Sequence, residues 1–548
     1  MSATPKSTTI EDLAGPGGVE KATIRWDVTA QLTLTGETHL GGDLPPEDQE
    51  VVDLPLNVDA DGIPVLRFRT LRGLMRHHLE DRLAGYDQDP SGDGAAAVAK
   101  LFGDTDRGSR LSGADVRFTP APGCPPTLVR DHVSHDPDSA SAAHRALWSA
   151  EVVTAGSTGT LQVTLTVAPG EKAELLELFC QALEGFTDPL DPIRIGARTT
   201  TGAGTLTTAQ WTARRYDLTD PDQYLQAITE DWDQPTDPQA ADAAASSNYR
   251  TAREAVLSVE GTPEESAQGA AEAGDARTVD LLELTVSVGV PDPESNSAQS
   301  GLRRVLPGFL RVGATPPPGR EDVNAAQRTV PVARRQDEGD AQECDWQPAI
   351  GGDAYLSWLR RQVELIARTL DEGWHTDSEP SEVKHSPTCP VSVAQELFGD
   401  RPGSDAPQPG RVFVSSSTVT GGELQRRGRS AVDPVFGGTI LGRLFTELVL
   451  AGGTDQTLRV LVRRPTDAAR GLLAHAIVDA HDWCRDVLGG GGHGHVTVTA
   501  AHLTMNATAA SKQTVDLLKR HEDCPGEGCP DPRHVWQRAL KPTPGSTS

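Results

Sequence analysis

The chain has no uninterrupted run of ~18 apolar residues of the kind that spans a bilayer. It carries seven cysteines in 548 residues, an odd and scattered set that makes no disulfide framework. Positive charge is also in short supply, with 50 Lys and Arg against 78 Asp and Glu and a formal net charge of −28. A membrane-spanning protein, a disulfide-stapled scaffold and a protein coated in basic surface are therefore not expected. Met1 to Val19 has no apolar core flanked by positive charge, so no secretory signal is expected, and a cytoplasmic setting with no membrane partner follows. The length suggests two to four domains.

An acidic average speaks against a polyanionic partner, because nucleic acid is held by basic surface that releases counterions. The average conceals the distribution. Between Asp61 and Glu80 there is no acidic residue, yet Arg67, Arg69, Arg72 and Arg76 lie there beside His77 and His78. Arg426, Arg427 and Arg429 make a second acid-free island. A charge run is ordinarily a solvated helix face; two islands in an acidic chain point instead to local phosphate tracks.

Three landmarks occur twice in the same order at nearly one offset. Leu101-Phe102-Gly103-Asp104 recurs as Leu397-Phe398-Gly399-Asp400, the Gly-rich run from Ile195 to Gly204 as Leu488 to Gly494, and the helix with Arg76 as the helix with Arg360 and Arg361. Such repetition indicates a duplicated unit. Apolar alternation through Ile24, Trp26, Val28, Leu32 and Leu34 predicts a strand, and Leu71, Leu74, Met75, His78 and Leu79 take helical spacing. Further strands are expected at 115–118 and 160–167 and helices at 96–102 and 171–185, an order that fits an α+β sandwich with helices on one face of an antiparallel sheet. The expected division is an extension at 1–20, a first unit at 21–214, an acidic Ala/Asp/Ser-rich connector at 215–278, a second unit at 279–505 and a loosely ordered polar tail at 506–548.

In this order the landmarks resemble the RAMP superfamily, the repeat-associated proteins of CRISPR systems, and most of all the guide-RNA-binding backbone subunit of type III effectors. The residues concerned are Thr38-His39-Leu40-Gly41-Gly42, then Asp53, then Thr70-Leu71-Arg72-Gly73-Leu74-Met75-Arg76, then Leu101-Phe102-Gly103, then Ile195-Gly196-Ala197-Arg198 through Gly202 and Gly204. Ala146 to Gly156 is similar to the family's strand pair before its last helix, and Ala431 to Gly442 repeats that likeness in a second unit that matches less fully. The resemblance implies two tandem units with ferredoxin-like, RNA-recognition-motif cores. It also implies crRNA, complementary target RNA and other CRISPR effector subunits as partners, and a role in antiviral defence.

Glycines allow a sugar-phosphate chain to approach the backbone, although an isolated Gly run more often marks a tight turn. Beside Arg67, Arg69, Arg72, Arg76 and Arg198, phosphate contact is the favoured reading for Gly196, Gly202 and Gly204, and likewise for Gly489 and Gly490 beside Arg360, Arg361, Arg427 and Arg429. Asp53 stands where the resembling subunits place the aspartate needed for metal-dependent cleavage, which implies a divalent cation such as Mg²⁺. Read by itself it is one loop aspartate among Asp43, Glu47, Asp48 and Glu50. In the second unit Thr329 takes its place if prolines are aligned, and Asp322 lies several residues early, so this unit is expected to bind without cutting. His39 is a rival catalyst, able in principle to assist ribose 2′-OH attack in a guide-processing nuclease; a purely structural scaffold is the other alternative. His521, Cys524, Cys529 and His534 have zinc-ligand types at a non-standard spacing and are read as free groups in the tail.

Overall fold

The computed structural model describes residues 22–42, 52–88, 90–135, 142–229, 249–260, 275–291, 305–313, 322–323, 325–333, 344–370, 389–399, 408–419, 421–432, 435–452, 456–483, 488, 494–508, 512–519 and 533–540. The apolar alternation becomes strand β1, Ile24–Leu34, which buries Trp26, Val28, Ala30, Leu32 and Leu34. With β2 (Leu111–Gly113), β5 (Thr158–Val167) and β6 (Leu206–Asp217) it forms an antiparallel sheet in the order β2-β5-β1-β6. Helices α1 (Phe68–Ala84) and α3 (Lys172–Glu184) supply Leu71, Met75, Leu79, Leu175 and Phe179 to the core against this sheet. That is the β-α-β-β-α-β plan of the ferredoxin-like fold.

The second half repeats the plan. β7 (Val279–Pro291) is flanked by β13 (Gln456–Arg463) and β14 (Val496–Met505), with β10 (Val412–Val414) outside β13, in the order β10-β13-β7-β14. Helices α5 (Gly352–Leu370) and α7 (Asp467–Trp483) bring Tyr355, Trp358, Leu359, Leu472 and Ile477 to a second core. The chain is thus an α+β protein with two antiparallel sheets, each backed by helices. Each unit also carries a long hairpin: β3 (Thr127–His135) with β4 (Ala142–Val153), and β11 (Glu423–Val432) with β12 (Thr439–Ala451).

The landmark arginines have a structural duty that explains their recurrence. Arg76 Nε donates to Glu80 Oε1 at 2.8 Å and Nη1 to the Gly103 carbonyl at 3.2 Å; Arg360 repeats this with Glu364 at 2.7 Å and Gly399 at 3.2 Å. Gly103 and Gly399 end helices α2 (Asp93–Phe102) and α6 (Pro390–Phe398) at φ of 83° and 79°, a left-handed turn that favours Gly. Each arginine therefore ties the first long helix of its unit to the Leu-Phe-Gly turn.

The connector contributes helix α4 (Ala252–Glu260), where a helix at 249–259 is expected within it, and its Ala252, Ala255 and Val256 are buried in the first core. The expectation for the tail needs adjustment. In the tail, β15 (Gln513–Asp516) adds to the second sheet at β14, and Trp536 and Leu540, on or just past helix α8 (Arg533–Ala539), are buried in the second core. Polar composition predicted looseness there; a few large apolar side chains suffice to dock a short element. Among the described residues no helix is long and apolar enough to cross a membrane.

Candidate nucleic-acid interface

Beyond β1 the chain continues along the base of the first hairpin, with Thr38 bridged to Val153 and Leu54 to Ala150. This places Asp53 beside Ser149 of β4. Asp53 Oδ2 accepts from the Ser149 amide at 2.6 Å and from its hydroxyl at 2.9 Å, while the Asp53 amide donates back to Ser149 Oγ at 3.1 Å. Asp53 is exposed, and the donated bonds, the Ser149 amide first, lower its pKa. The result is an ionised, oriented carboxylate whose Oδ1 has no partner among the described residues. Asp131 lies directly across from Ser149 in the hairpin, on the same face as Asp53. Ser149 and Asp131 were not singled out in the sequence, because only the hairpin register joins them to Asp53.

His39, the rival catalyst, is buried. Its Nδ1 is 2.8 Å from the Glu151 carbonyl oxygen and its backbone bridges to Ala197. The ring is thus tied into the hairpin base. His78 is likewise buried, 3.6 Å from Asp188, whereas His77 is exposed on the helix.

Among the first arginine island, Arg67 and Arg69 are exposed at the start of α1 and Arg72 is half-buried one turn on. Arg69 and Arg72 have no partner among the described residues, and Arg67 reaches Asn57 Oδ1 at 3.5 Å. Arg76 is occupied by the tie described above, so Arg67, Arg69 and Arg72 are the part of the island open to an external anion.

The Gly-rich loop packs on protein. A Cβ on Gly196 would sit 2.2 Å from the His39 carbonyl oxygen and one on Gly204 1.8 Å from that of Ile195. One on Gly202 would meet Ser416 N at 2.7 Å and Val414 O at 2.9 Å, both in the second unit. Their φ values, 78°, 71° and 79°, add the backbone reason for Gly. Arg198, also left-handed at φ 61°, stacks over Trp148 at 5.1 Å, donates to the His132 ring at 2.6 Å and reaches Asp353 at 3.4 Å.

These contacts belong to a charge network where the units meet. Buried Glu37 accepts from Arg130 Nε at 3.1 Å and pairs with Arg328 of the second unit, while Arg130 Nη2 donates to the Thr329 carbonyl at 2.7 Å. Burial pushes the Glu37 carboxyl up, but the Arg328 and Arg130 guanidiniums more than reverse this and hold it at about 2. His132 is driven below its ordinary value, chiefly by burial, against the pull of Asp353. The network borders a cavity of about 610 Å³. A second contact has Arg463 on Asp191 at 2.9 Å, with the Tyr86 hydroxyl donating to Asp191 at 2.6 Å. Alternation along β4 puts Trp148, Ala150 and Val152 on the network side and Ser149 on the other, so Asp53 and the network occupy opposite faces of one hairpin.

Hydrogen-bond register fixes which residues of the two units correspond. The Leu54 to Ala150 bridge matches Ala325 to Glu447, the Asn57 amide bond to Leu40 O matches Arg328 to Val312 O, and Val65 to Asn57 O matches Ala349 to Arg328 O. Counting back from Ala325, the position of Asp53 is that of Asn324, which lies outside the described residues. Aligning prolines misplaces it at Thr329, whose counterpart is Val58. Asp322 falls two positions before Asn324 and pairs with Arg426. Both hairpin strands keep one offset, so Arg427 corresponds to Arg130, Gly428 to Asp131, Arg429 to His132 and Thr446 to Ser149. Arg427 lies over Phe309 at 4.1 Å and Arg429 pairs with buried Glu447 at 2.9 Å; Arg361 is half-buried on α5. Gly489, Gly490, His521, Cys524 and Cys529 lie outside the described residues. Among the described residues no group of three or more His, Cys, Asp or Glu side chains could hold a metal.

Residues 31–207 match the model of the RAMP superfamily. This segment is a RAMP domain. The match takes in Asp53, the Arg67–Arg76 island, the first hairpin and the Gly-rich loop, and so covers the candidate interface of the first unit. No curated protein matches the chain. Among solved structures, one similar chain comes from a cryo-EM structure of the type III-B Cmr-beta bound to cognate target RNA; identity is 13%, the TM-score 0.27, and the match covers 34% of this chain and 60% of that one.

Proposed function

We propose that the chain is a crRNA-binding backbone subunit of a type III CRISPR effector, and that its RAMP domain cleaves target RNA paired to the guide. The observation that carries the cleavage reading is the Asp53 carboxylate, clamped at Oδ2 by two donors from Ser149 with Oδ1 left open. The RAMP match over residues 31–207 supports the choice of RNA as ligand. Arg67, Arg69 and Arg72 supply phosphate contacts that carry no sequence information, as suits a protein whose specificity resides in base pairing.

A divalent cation such as Mg²⁺ typically takes one or two carboxylates, with phosphate oxygens and waters filling the remaining positions. Asp53 fits as such a ligand, with Asp131 across the hairpin as a second carboxylate; neither makes a closed protein cage, so binding would require the RNA phosphate. The cation, when bound, supplies charge stabilisation to the phosphodiester. Ser149 holds the carboxylate ionised and fixes its direction. Buried His39, tied to the Glu151 carbonyl, positions the hairpin base in this scheme. The test is cleavage of labelled complementary RNA by the assembled complex with and without chelator. Chelator-resistant cutting would favour 2′-OH attack, and no cutting under either condition would leave a structural scaffold.

A further inference from the structure

Four cysteines are free among the described residues. Cys180 is buried in the first core, where the ionisable groups around it are Arg253, Glu177 and Glu184. Cys124 and Cys344 differ from it in having each other.

Cys124 belongs to the first unit, in the turn between the short strand Val116–Arg117 and β3. Its amide donates to the Ala121 carbonyl at 2.9 Å, and the Pro125 carbonyl accepts from the Thr154 hydroxyl at 2.8 Å, so the turn is pinned beside the end of β4. Cys344 belongs to the second unit and opens the strand Cys344–Ile350, which pairs antiparallel with Thr329–Ala333. The turn abuts this ladder: Ala121 lines the junction cavity together with Val330, Pro331 and Val332. Cys124 is buried there and Cys344 half-buried. The Cys344 thiol is the ionisable neighbour of the Cys124 thiol, which burial first and this contact second push up to about 12. Cys344 Sγ also donates to the Asp345 carbonyl oxygen at 3.6 Å.

Neighbouring thiols close a disulfide by side-chain rotation, where distant cysteines would need the backbone to move. We propose that Cys124 and Cys344 form a reversible disulfide that staples the first unit to the second when the chain meets a peroxide. Cys344, the more accessible, reacts first. Its thiolate attacks one peroxide oxygen; an S–O bond forms, the O–O bond breaks, and the other oxygen takes a proton and leaves as water or an alcohol. The Cys124 sulfur then attacks the sulfenic sulfur of Cys344; the S–S bond forms, the S–O bond breaks, and the departing hydroxide takes the Cys124 proton as water. Two electrons pass from the two sulfurs to the peroxide, and hydrogen peroxide gives one disulfide and two waters. Buried Cys124 keeps its proton until this second step, which makes it the resolving thiol. The bond spans 220 positions (344 − 124 = 220) and crosses the junction. Thiol exchange reverses it.

None of this depends on RNA, so the reduced full chain is tested alone. After hydrogen peroxide and alkylation of the remaining thiols under denaturing conditions, a digest made without reductant should yield Cys124 linked to Cys344 within one chain. Dithiothreitol should remove the link, and Cys180 should be recovered alkylated. Cys124→Ser should leave a sulfenic acid at Cys344 that dimedone traps, and Cys344→Ser should trap at least ~10-fold less at Cys124. Oxidised wild type should melt at least ~2 °C above the reduced chain, because the cross-link restricts the unfolded state. Neither Ser variant should shift on oxidation. Cys124→Ala and Cys344→Ala repeat these measurements if a Ser variant fails to fold by circular dichroism. The proposal is overturned if the pair stays reduced, if the link joins two chains, if dimedone marks Cys124 in preference to Cys344, or if the oxidised chain melts no higher than the reduced one.

Discussion

The two units share a sheet order, a hairpin and an arginine tie to the Leu-Phe-Gly turn, yet they differ at both faces of that hairpin. On one face Ser149 and Asp131 of the first unit correspond to Thr446 and Gly428 of the second, and the sequence has Asn324 at the position equivalent to Asp53. On the other, Glu37, His39 and His132 correspond to Phe309, Arg311 and Arg429. Duplication has preserved what the fold requires and released what chemistry or docking requires. The lesson concerns the landmarks: a residue that recurs in both units, such as Arg76 with Arg360, is first a candidate for structure, and one that does not recur, such as Asp53, is first a candidate for function.

The largest effect should come from breaking the junction. Arg328→Ala leaves buried Glu37 with one guanidinium in place of two, and removing one partner of a buried pair costs about 3–5 kcal/mol. A drop in melting temperature larger than that of Arg117→Ala, an exposed arginine 2.7 Å from Asp59 within the first unit, is the expected readout. An equal drop would mean that the network does not join the units.

The hairpin's other face is probed by cleavage. Asp53→Ala should lower target cutting by at least ~10²-fold, the usual loss for a positioned reacting group, with guide binding within a few-fold. Ser149→Ala, which frees the carboxylate to swing, should cost ~10–100-fold. Because the second unit carries Asn324, one cut per target is expected, and Asp322→Ala should change nothing. Two evenly spaced cuts would show both units to be catalytic and erase the contrast.

The shared feature can be tested for its sharedness. Arg76→Ala and Arg360→Ala each lose a charge-assisted bond to a carbonyl and a partly exposed ion pair, about 1 kcal/mol apiece, and calorimetry should find them alike. Arg69→Ala with Arg72→Ala, by contrast, should spare stability and reduce the salt dependence of RNA binding by about two phosphate contacts for every guide alike.

Acidity separates the two sides more gently. The His132 pKa is lowered in the folded chain, so the unfolded chain takes the proton more readily and stability falls as pH drops below the ordinary 6.5. Glu37, held at about 2 against an ordinary 4.5, contributes stability present above 4.5 and lost as pH falls toward 2. His475 is lowered by burial as well, so His132→Gln should shrink the first step of an acid titration without abolishing it and keep the second.

Much of this fold is written locally. Alternation in Ile24–Leu34, helical spacing around Leu71–Leu79 and the recurrence of Leu-Phe-Gly are short-range signals, since strand and helix periods act over a few residues. Asp53 was singled out by the family resemblance, which places an aspartate after the Gly41-Gly42 stretch; by itself it reads as one loop aspartate among several. The sequence could not assign the partners of the glycines and arginines: Gly202 faces Val414 and Ser416, Arg198 faces Asp353, and Arg76 faces Gly103, and none of these pairs is signalled by spacing. Nor could it place Asp53 against Asn324 rather than Thr329, because loops of unequal length separate the landmarks and only strand register spans them. Local periodicity determined which segments became strands and helices. Long-range pairing decided which charges were neutralised within the chain and which were left for something else to bind.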